Sequence, residues 1–445
     1  MFEFKTAIHA IPQNQLYLYY FIVIIIYLLF FRNFKLTNFS LFIAIAFNQG
    51  ILFSLFPVGG RQFVEITLVI LSAVALMKAN FKFFSLKDKK IIMFFVFFTF
   101  FFYLKYLVYG VSLLYASFQY VKFYIPFAFY FGLKYNNNFN KNNVYYADLF
   151  IRFIKFQVVF SVVKILVIGL REDIIGSVAS TGGSMSITVA LTGIILLWAM
   201  SDCKIKRKDM YMYFLVLLVP IASNKRAIWF LYPIIILLMA SPKLNFNNIR
   251  KLTMLLLLIP LILYFGFRLN PSLNPDSELW GRFDLRFSVD YMLSYSGVSE
   301  EKIESDYAQG RWGSTIQIIK NILIDPLQKG YIIGLKPSVT GRVDSEEFKP
   351  EDYGLKSGTM ISGLGRTLYG SGYGISFFLI MMFLNMISQI NNKKVKKVLY
   401  FYFLWELIFY TGNMMLTKGH TVLWVIIIVI LQIRYDKNKN VPIIQ

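Results

Sequence analysis

The sequence predicts an all-α, polytopic integral membrane protein of about 12–14 transmembrane helices with one large extracytoplasmic loop. Three observations carry this. Hydrophobic residues make up 57% of the chain and aromatic residues 18%, above the apolar share of about 45–50% in soluble domains. Apolar segments alternate with short connectors, and every second connector is rich in Lys and Arg, as cytoplasmic loops are. Residues 269–356 carry fourteen Asp and Glu against ten Lys and Arg, a net of −4, whereas the rest carries 36 cations against ten acids, a net of +26. An exported segment tolerates that reversal of sign, because long loops cross largely regardless of charge.

A spanning helix needs about 20 largely apolar residues, fewer where charges snorkel or the bilayer thins. By that measure spans are expected near 16–31, 39–57, 63–80, 90–109, 113–133, 146–170, 184–201, 211–223, 226–240, 251–268, 371–390, 397–415 and 420–434. The first run lacks a strong basic n-region and a small-residue cleavage site, so it reads as a retained helix. The connectors FRNFK, KANFKFFSLKDKK, LKYNNNFNKNN, SDCKIKRKD, SPKLNFNNIRK and NNKKVKK, with the tail RYDKNK, face the cytoplasm. PVGGR, the Gly110 turn, REDIIGSVASTGG, SNKR, the long loop and MLTKGH then face outward. Three regions follow: a helix bundle over 1–268, the loop with an amphipathic helix over 269–356, and C-terminal helices with a cytoplasmic tail over 357–445.

Net charge of +22 would point to nucleic acid in a soluble chain, but here the cations lie in connectors between spans, so no nucleic-acid partner is expected. One cysteine excludes an internal disulfide, and two histidines leave no cluster of metal-ligand spacing. No repeat of fixed period stands out, which disfavours transporters built from duplicated halves.

The outward turn SNKR sits on the wrong side for cations chosen by topology alone. Its flanking runs are each about fourteen residues, about 20 Å of helix, shorter than a hydrocarbon core of about 30 Å. Arg226, with Lys225 beside it, is therefore expected just below the outer surface at a helix N-terminus. A guanidinium there suits a phosphate group, since its planar fork bonds oxygens in pairs and the helix end favours anions. The alternative is that both cations snorkel to headgroups.

In the loop, Gly310-Arg311-Trp312 opens a helix with Ile316, Ile318, Ile319, Ile322 and Leu323 at helical spacing, ended by Asp325-Pro326. Arg311 either faces a substrate anion or pairs with an acid such as Asp306. Arg366 lies in SGLGRTLYGSGYG, whose glycines suit close helix packing more than phosphate cradling. Arg61, and Arg171 beside Glu172 and Asp173, are outward charges that either bind substrate or are merely solvated. Lys105, Lys122, Lys155, Lys164 and Glu406 fall inside spans, where charge is costly unless it snorkels or lines a cavity. Glu406 is expected to pair with one of those lysines. A general base for an attacking hydroxyl could come from loop acids such as Asp284, Asp290, Glu304 and Asp306.

Together, SNKRAIW, the segment GRW continuing as IIKNILIDPLQKGYIIG, the small-polar run STGGSMSITVALTGIILL and the glycine-bearing span resemble the O-antigen polymerase (Wzy) and O-antigen ligase superfamily over about Ser180 to Leu379. The resemblance implies a GT-C-like glycosyltransferase of the bacterial cytoplasmic (inner) membrane. It also implies use of undecaprenyl-pyrophosphate-linked oligosaccharides without a nucleotide sugar, metal or separate cofactor. Arg226 and Arg311 match the two outward arginines to which the family assigns pyrophosphate binding and leaving-group stabilisation. Lys225, Arg366, Arg61 and Arg171 stand as substrate-binding candidates. The ligase branch carries a His-Asn pair before the late span; KSGTMISGLGR has no histidine, which favours the polymerase branch. Partners so implied are the lipid-linked oligosaccharides, membrane lipids, a chain-length regulator and a flippase. The competing classes are a ligase acting on a lipid A-core, a flippase for lipid-linked sugars, and a structural or receptor-like membrane subunit, which would explain the loop but not the shallow arginines.

Overall fold

The computed structural model describes residues 13–31, 37–46, 48, 51–52, 60–80, 85–168, 183–206, 210–222, 227–240, 259–278, 280–296, 311–334, 361–409 and 418–436. Among these the chain is all-helical, with no strand. The helices run α1 Gln13–Phe31, α2 Asn38–Ala46, α3 Gly60–Met77, α4 Leu86–Val108, α5 Leu113–Lys134, α6 Asn137–Lys141, α7 Asn143–Ile168, α8 Gly183–Met200, α9 Met210–Ala222, α10 Ala227–Ala240 and α11 Ile259–Leu269. They continue as α12 Leu285–Ser296, α13 Arg311–Ile324, α14 Lys329–Ile333, α15 Gly363–Ser388, α16 Lys393–Phe409 and α17 Lys418–Asp436. Each expected span overlaps one of these helices, although α2 covers only the first part of the span expected over 39–57 and α11 the last part of that expected over 251–268, the rest of both lying mostly outside the described residues. Two of the helices, α4 and α15, are long and apolar enough to cross a membrane.

The centre is α17, whose residues from Val422 to Gln432 are all buried as the helix packs against α5, α7 and α8. A helix apolar on every side is stable only inside a core or in lipid, and α17 takes the first option. α4 shows the second pattern. It turns Ile91, Phe95, Phe98 and Phe102 inward, while Met93, Val96, Phe97 and Phe100 stay exposed on the other face. Against α15 it stacks Phe94, Phe97 and Phe101 around Phe378.

Polar side chains tie the bundle together in knots. At the start of α4, buried Asp88 accepts from Lys134 (2.6 Å), Ser85 Oγ (2.5 Å), Gln389 Nε2 (3.2 Å) and Tyr135. Lys134 also donates to Gln389 Oε1 at 2.5 Å. At the same end, Asn80 N donates to Tyr135 O, and Gln432 joins Tyr130 to the Met386 carbonyl. Nearby, Asn392 and Tyr435 both meet Cys203, and Arg434 pairs with Asp202 at 3.1 Å. The basic connectors around residues 78–90, 133–143, 201–206 and 391–397 thus share contacts with one another or with the C-terminal turn of α17.

Among the described residues Glu406 takes no lysine, contrary to expectation. Its carboxylate accepts from Thr188 Oγ1 (2.7 Å), Trp424 Nε1 (2.9 Å) and Tyr402. Three neutral donors from three helices satisfy the buried group without a counter-charge.

Candidate functional site

The loop helix α13 is amphipathic, but its buried face differs from the one its isoleucines suggest. Ser314, Thr315 and Ile318 are fully buried, whereas Leu323 and Ile324 are exposed. Two polar residues face inward because each finds or shares a partner on the docking surface. Thr315 Oγ1 lies 2.5 Å from Ser362 Oγ, and Ser362 caps α15 by accepting from Gly365 N at 3.0 Å. Ile318 completes the seat with Tyr331, Ile361 and Tyr369. The second turn of α13, the helix that Arg311 begins, therefore docks on the first turn of α15, which carries Arg366.

Eight residues before the expected start of its span at 371, α15 begins at Gly363, and the expected boundary instead falls on a break. Gly372 has φ 77° and ψ 161° inside the helix. Short α14 fills the gap. A Cβ on Gly372 would lie 2.3 Å from Ile332 O, and one on Gly334, itself at φ 77°, would lie 2.6 Å from Gly370 O. Two backbones meet here with no room for a side chain, and both positions need the conformation that glycine alone adopts freely.

The break frees carbonyls, and side chains take them up. Ser376 Oγ lies 2.9 Å from Thr367 O and 2.6 Å from Gly372 O. Lys105, from the last turn of α4, donates to Gly370 O. Tyr109 donates to Gly334 O at 2.6 Å, and Tyr373 to Pro326 O at 2.9 Å. Burial, and then the neighbouring Asp325, raise the Tyr331 phenol above its usual pKa, so it stays a neutral donor at physiological pH.

Arg366 is exposed on α15 one turn before Gly370. Arg311 is the first residue of α13 and Arg61 the second of α3. α3 meets the end of α5 through Asn80, so its start, with Arg61, lies toward the end where α5 begins and α4 finishes. Arg226, Lys225 and Arg171 lie outside the described residues. Sequence reasoning missed Tyr109, Thr315 and Ser362. The legible signal was Lys105, a cation inside an expected span, where charge is costly unless it snorkels or lines a cavity.

The arrangement places Lys105 at the break and exposed Arg366 one turn before Gly370, while Arg311 begins the helix that docks on the first turn of α15. That chemistry suits an anionic oxygen-rich group such as a phosphate ester or anhydride. No protein-family model, curated protein or solved structure matches this chain.

Proposed function

We propose that this chain is a multi-pass glycosyltransferase of the bacterial cytoplasmic membrane that polymerises lipid-linked oligosaccharide repeat units at the outer face. The growing glycan leaves its undecaprenyl-pyrophosphate carrier and joins a hydroxyl of the next lipid-linked unit, in O-antigen, capsule or exopolysaccharide synthesis. One observation carries the reading: the acidic loop sends back a helix, begun by Arg311, that docks through Thr315 and Ser362 onto the turn bearing Arg366. The exposed apolar face of α4 supports a lipid setting, in which about 12–14 spans surround this site.

In this reading the acceptor oxygen attacks the anomeric carbon as its bond to the pyrophosphate oxygen breaks, and the acceptor proton leaves to a base. Arginines aimed at the departing pyrophosphate stabilise the charge that develops there. Holding two lipid-linked partners side by side supplies the entropy of association in advance. Arg226 and Arg311 act on the leaving group, with Lys225, Arg366, Arg61 and Arg171 binding substrate.

The test is the glycan ladder from cells carrying Arg226→Ala, Arg311→Ala or Arg366→Ala at matched protein abundance. Lipid capped with single repeat units is expected, and an unchanged ladder in all three refutes the reading. The broken helix α15 favours a second reading, a flippase, because transporters place substrate at discontinuous helices. Flippase variants strand repeat units on the cytoplasmic face, whereas polymerase variants let single units reach the surface.

A further inference from the structure

We infer that Lys105 forms the inner half of a phosphate-binding subsite at the break of α15, with Arg366 as its outer half. This deepens the proposed polymerase site and rests on that reading for the identity of the lipid ligand.

Lys105 is 8% exposed. A lysine in the last turn of an apolar helix can carry its ammonium to the interface at little cost. This one turns inward instead and meets a backbone carbonyl. Among the described residues Gly370 O is its hydrogen-bond partner, and no carboxylate lies within ion-pair distance. Lys134 makes the contrast: equally inside the bundle, it has Asp88 at 2.6 Å and Gln389 at 2.5 Å. An ammonium presents three donors, and a carbonyl uses one. Burying a cation with so little compensation is unfavourable unless a counter-charge arrives.

The surroundings say which counter-charge fits. Arg366 and Gly370 are four residues apart on one face of α15, about one turn or 5.4 Å of rise. Lys105 holds the lower of these positions and Arg366 occupies the upper. Two cations attached at neighbouring turns of one helix suit a diphosphate, or one phosphate bridging them. Gly370 leaves open space, since a Cβ there would meet nothing within 4 Å. Tyr109, already anchored on Gly334 O, borders the same break. The phosphate can come from a prenyl pyrophosphate or from a phospholipid headgroup, and the experiment separates these sources.

The full-length protein in nanodiscs of phosphatidylcholine is titrated with farnesyl pyrophosphate, with farnesol as the uncharged control, and binding is read by ligand-induced thermal stabilisation. Variants are Lys105→Gln, which keeps a donor for Gly370 O without charge, and Lys105→Arg, which keeps the charge. Wild type and Lys105→Arg are expected to bind the pyrophosphate but not farnesol, and Lys105→Gln to bind at least about tenfold more weakly. If farnesyl pyrophosphate does not bind but phosphatidylglycerol is retained in a Lys105-dependent way, the subsite stands with a headgroup as its ligand. Equal binding of both ligands by Lys105→Gln and wild type overturns it. Should Lys105→Gln not fold, amide exchange on the wild type decides: the pyrophosphate protects Gly370 to Gly374, and absent protection overturns the subsite. A collapsed ladder in Arg366→Ala with normal pyrophosphate binding in Lys105→Gln sinks this inference alone. Lys105-dependent binding with unchanged ladders sinks the polymerase reading alone.

Discussion

Replacing Gly372 with alanine tests whether the break in α15 is built into the chain. At φ 77° and ψ 161° the residue lies where a side chain costs about 1–3 kcal/mol. The new Cβ would also sit 2.3 Å from Ile332 O, 2.4 Å from Gly334 N and 2.6 Å from Ile332 C. All three are backbone atoms, so relief requires α14 to move, and forced overpacking adds about 1–3 kcal/mol. The sum, about 4 kcal/mol, falls mostly on the seat of α14 against α15. Since each 1.4 kcal/mol is about tenfold, exchange of the Tyr331 to Gly334 amides should rise by about 100-fold or more. Hydrogen–deuterium exchange in nanodiscs measures it. Gly370→Ala is the control, because a methyl there meets nothing within 4 Å, and it should leave exchange unchanged. If Gly372→Ala exchanges like wild type, or both variants change alike, the interlock of the two backbones does not hold α14 in place.

Three further outcomes follow from the polar knots. Asp88→Asn strands Lys134 in a pocket where it is 11% exposed and should cost about 3–5 kcal/mol. Asp88→Asn with Lys134→Met should recover most of that by thermal denaturation, since removing both partners is far cheaper than removing one. Glu406→Ala removes the acceptor of three buried donors and should cost about 3 kcal/mol or more; Glu406→Gln, which keeps one carbonyl oxygen, should cost clearly less. Ser362→Ala deletes the cap of α15 and the partner of Thr315, a loss of about 1 kcal/mol. Faster exchange at Gly363 to Arg366 would report it.

Apolar run length made the helices legible: a helix overlaps each expected span, with bounds that agree best for α4, α5 and α10. In α15 another force intervenes, capping. Ser362 starts the helix well before hydropathy rises, and Gly372 interrupts it where hydropathy alone begins it. The loop helix was readable from its isoleucines, but its buried face was not. Thr315 is buried for Ser362, forty-seven residues away in sequence, and periodicity carries no information about so distant a partner. Glu406 looked destined for a lysine because charge seeks charge. Hydroxyl and indole donors on helices that no local pattern connects met it first.

α4 and α15 show how the molecule separates holding from working. Phe94, Phe97, Phe101 and Phe378 supply adhesion between them but no register, because stacked rings tolerate sliding. Register comes from polar clamps at both ends: Asp88 meets Gln389 at one, and Lys105 meets Gly370 at the other. Seventeen residues of α4 and nineteen of antiparallel α15 separate the clamps, about 26 and 28 Å, near the thickness of a hydrocarbon core of about 30 Å. A slip of one turn, about 5.4 Å, would break both clamps at once. Because the Asp88 clamp is complete in itself, with Lys134, Ser85 and Tyr135 also engaged, it keeps the helices in register when Lys105 is changed. A ligand can therefore draw the Lys105 ammonium away from Gly370 O without releasing α15, which lets the same residue close the break when the site is empty and meet an anion when it is filled.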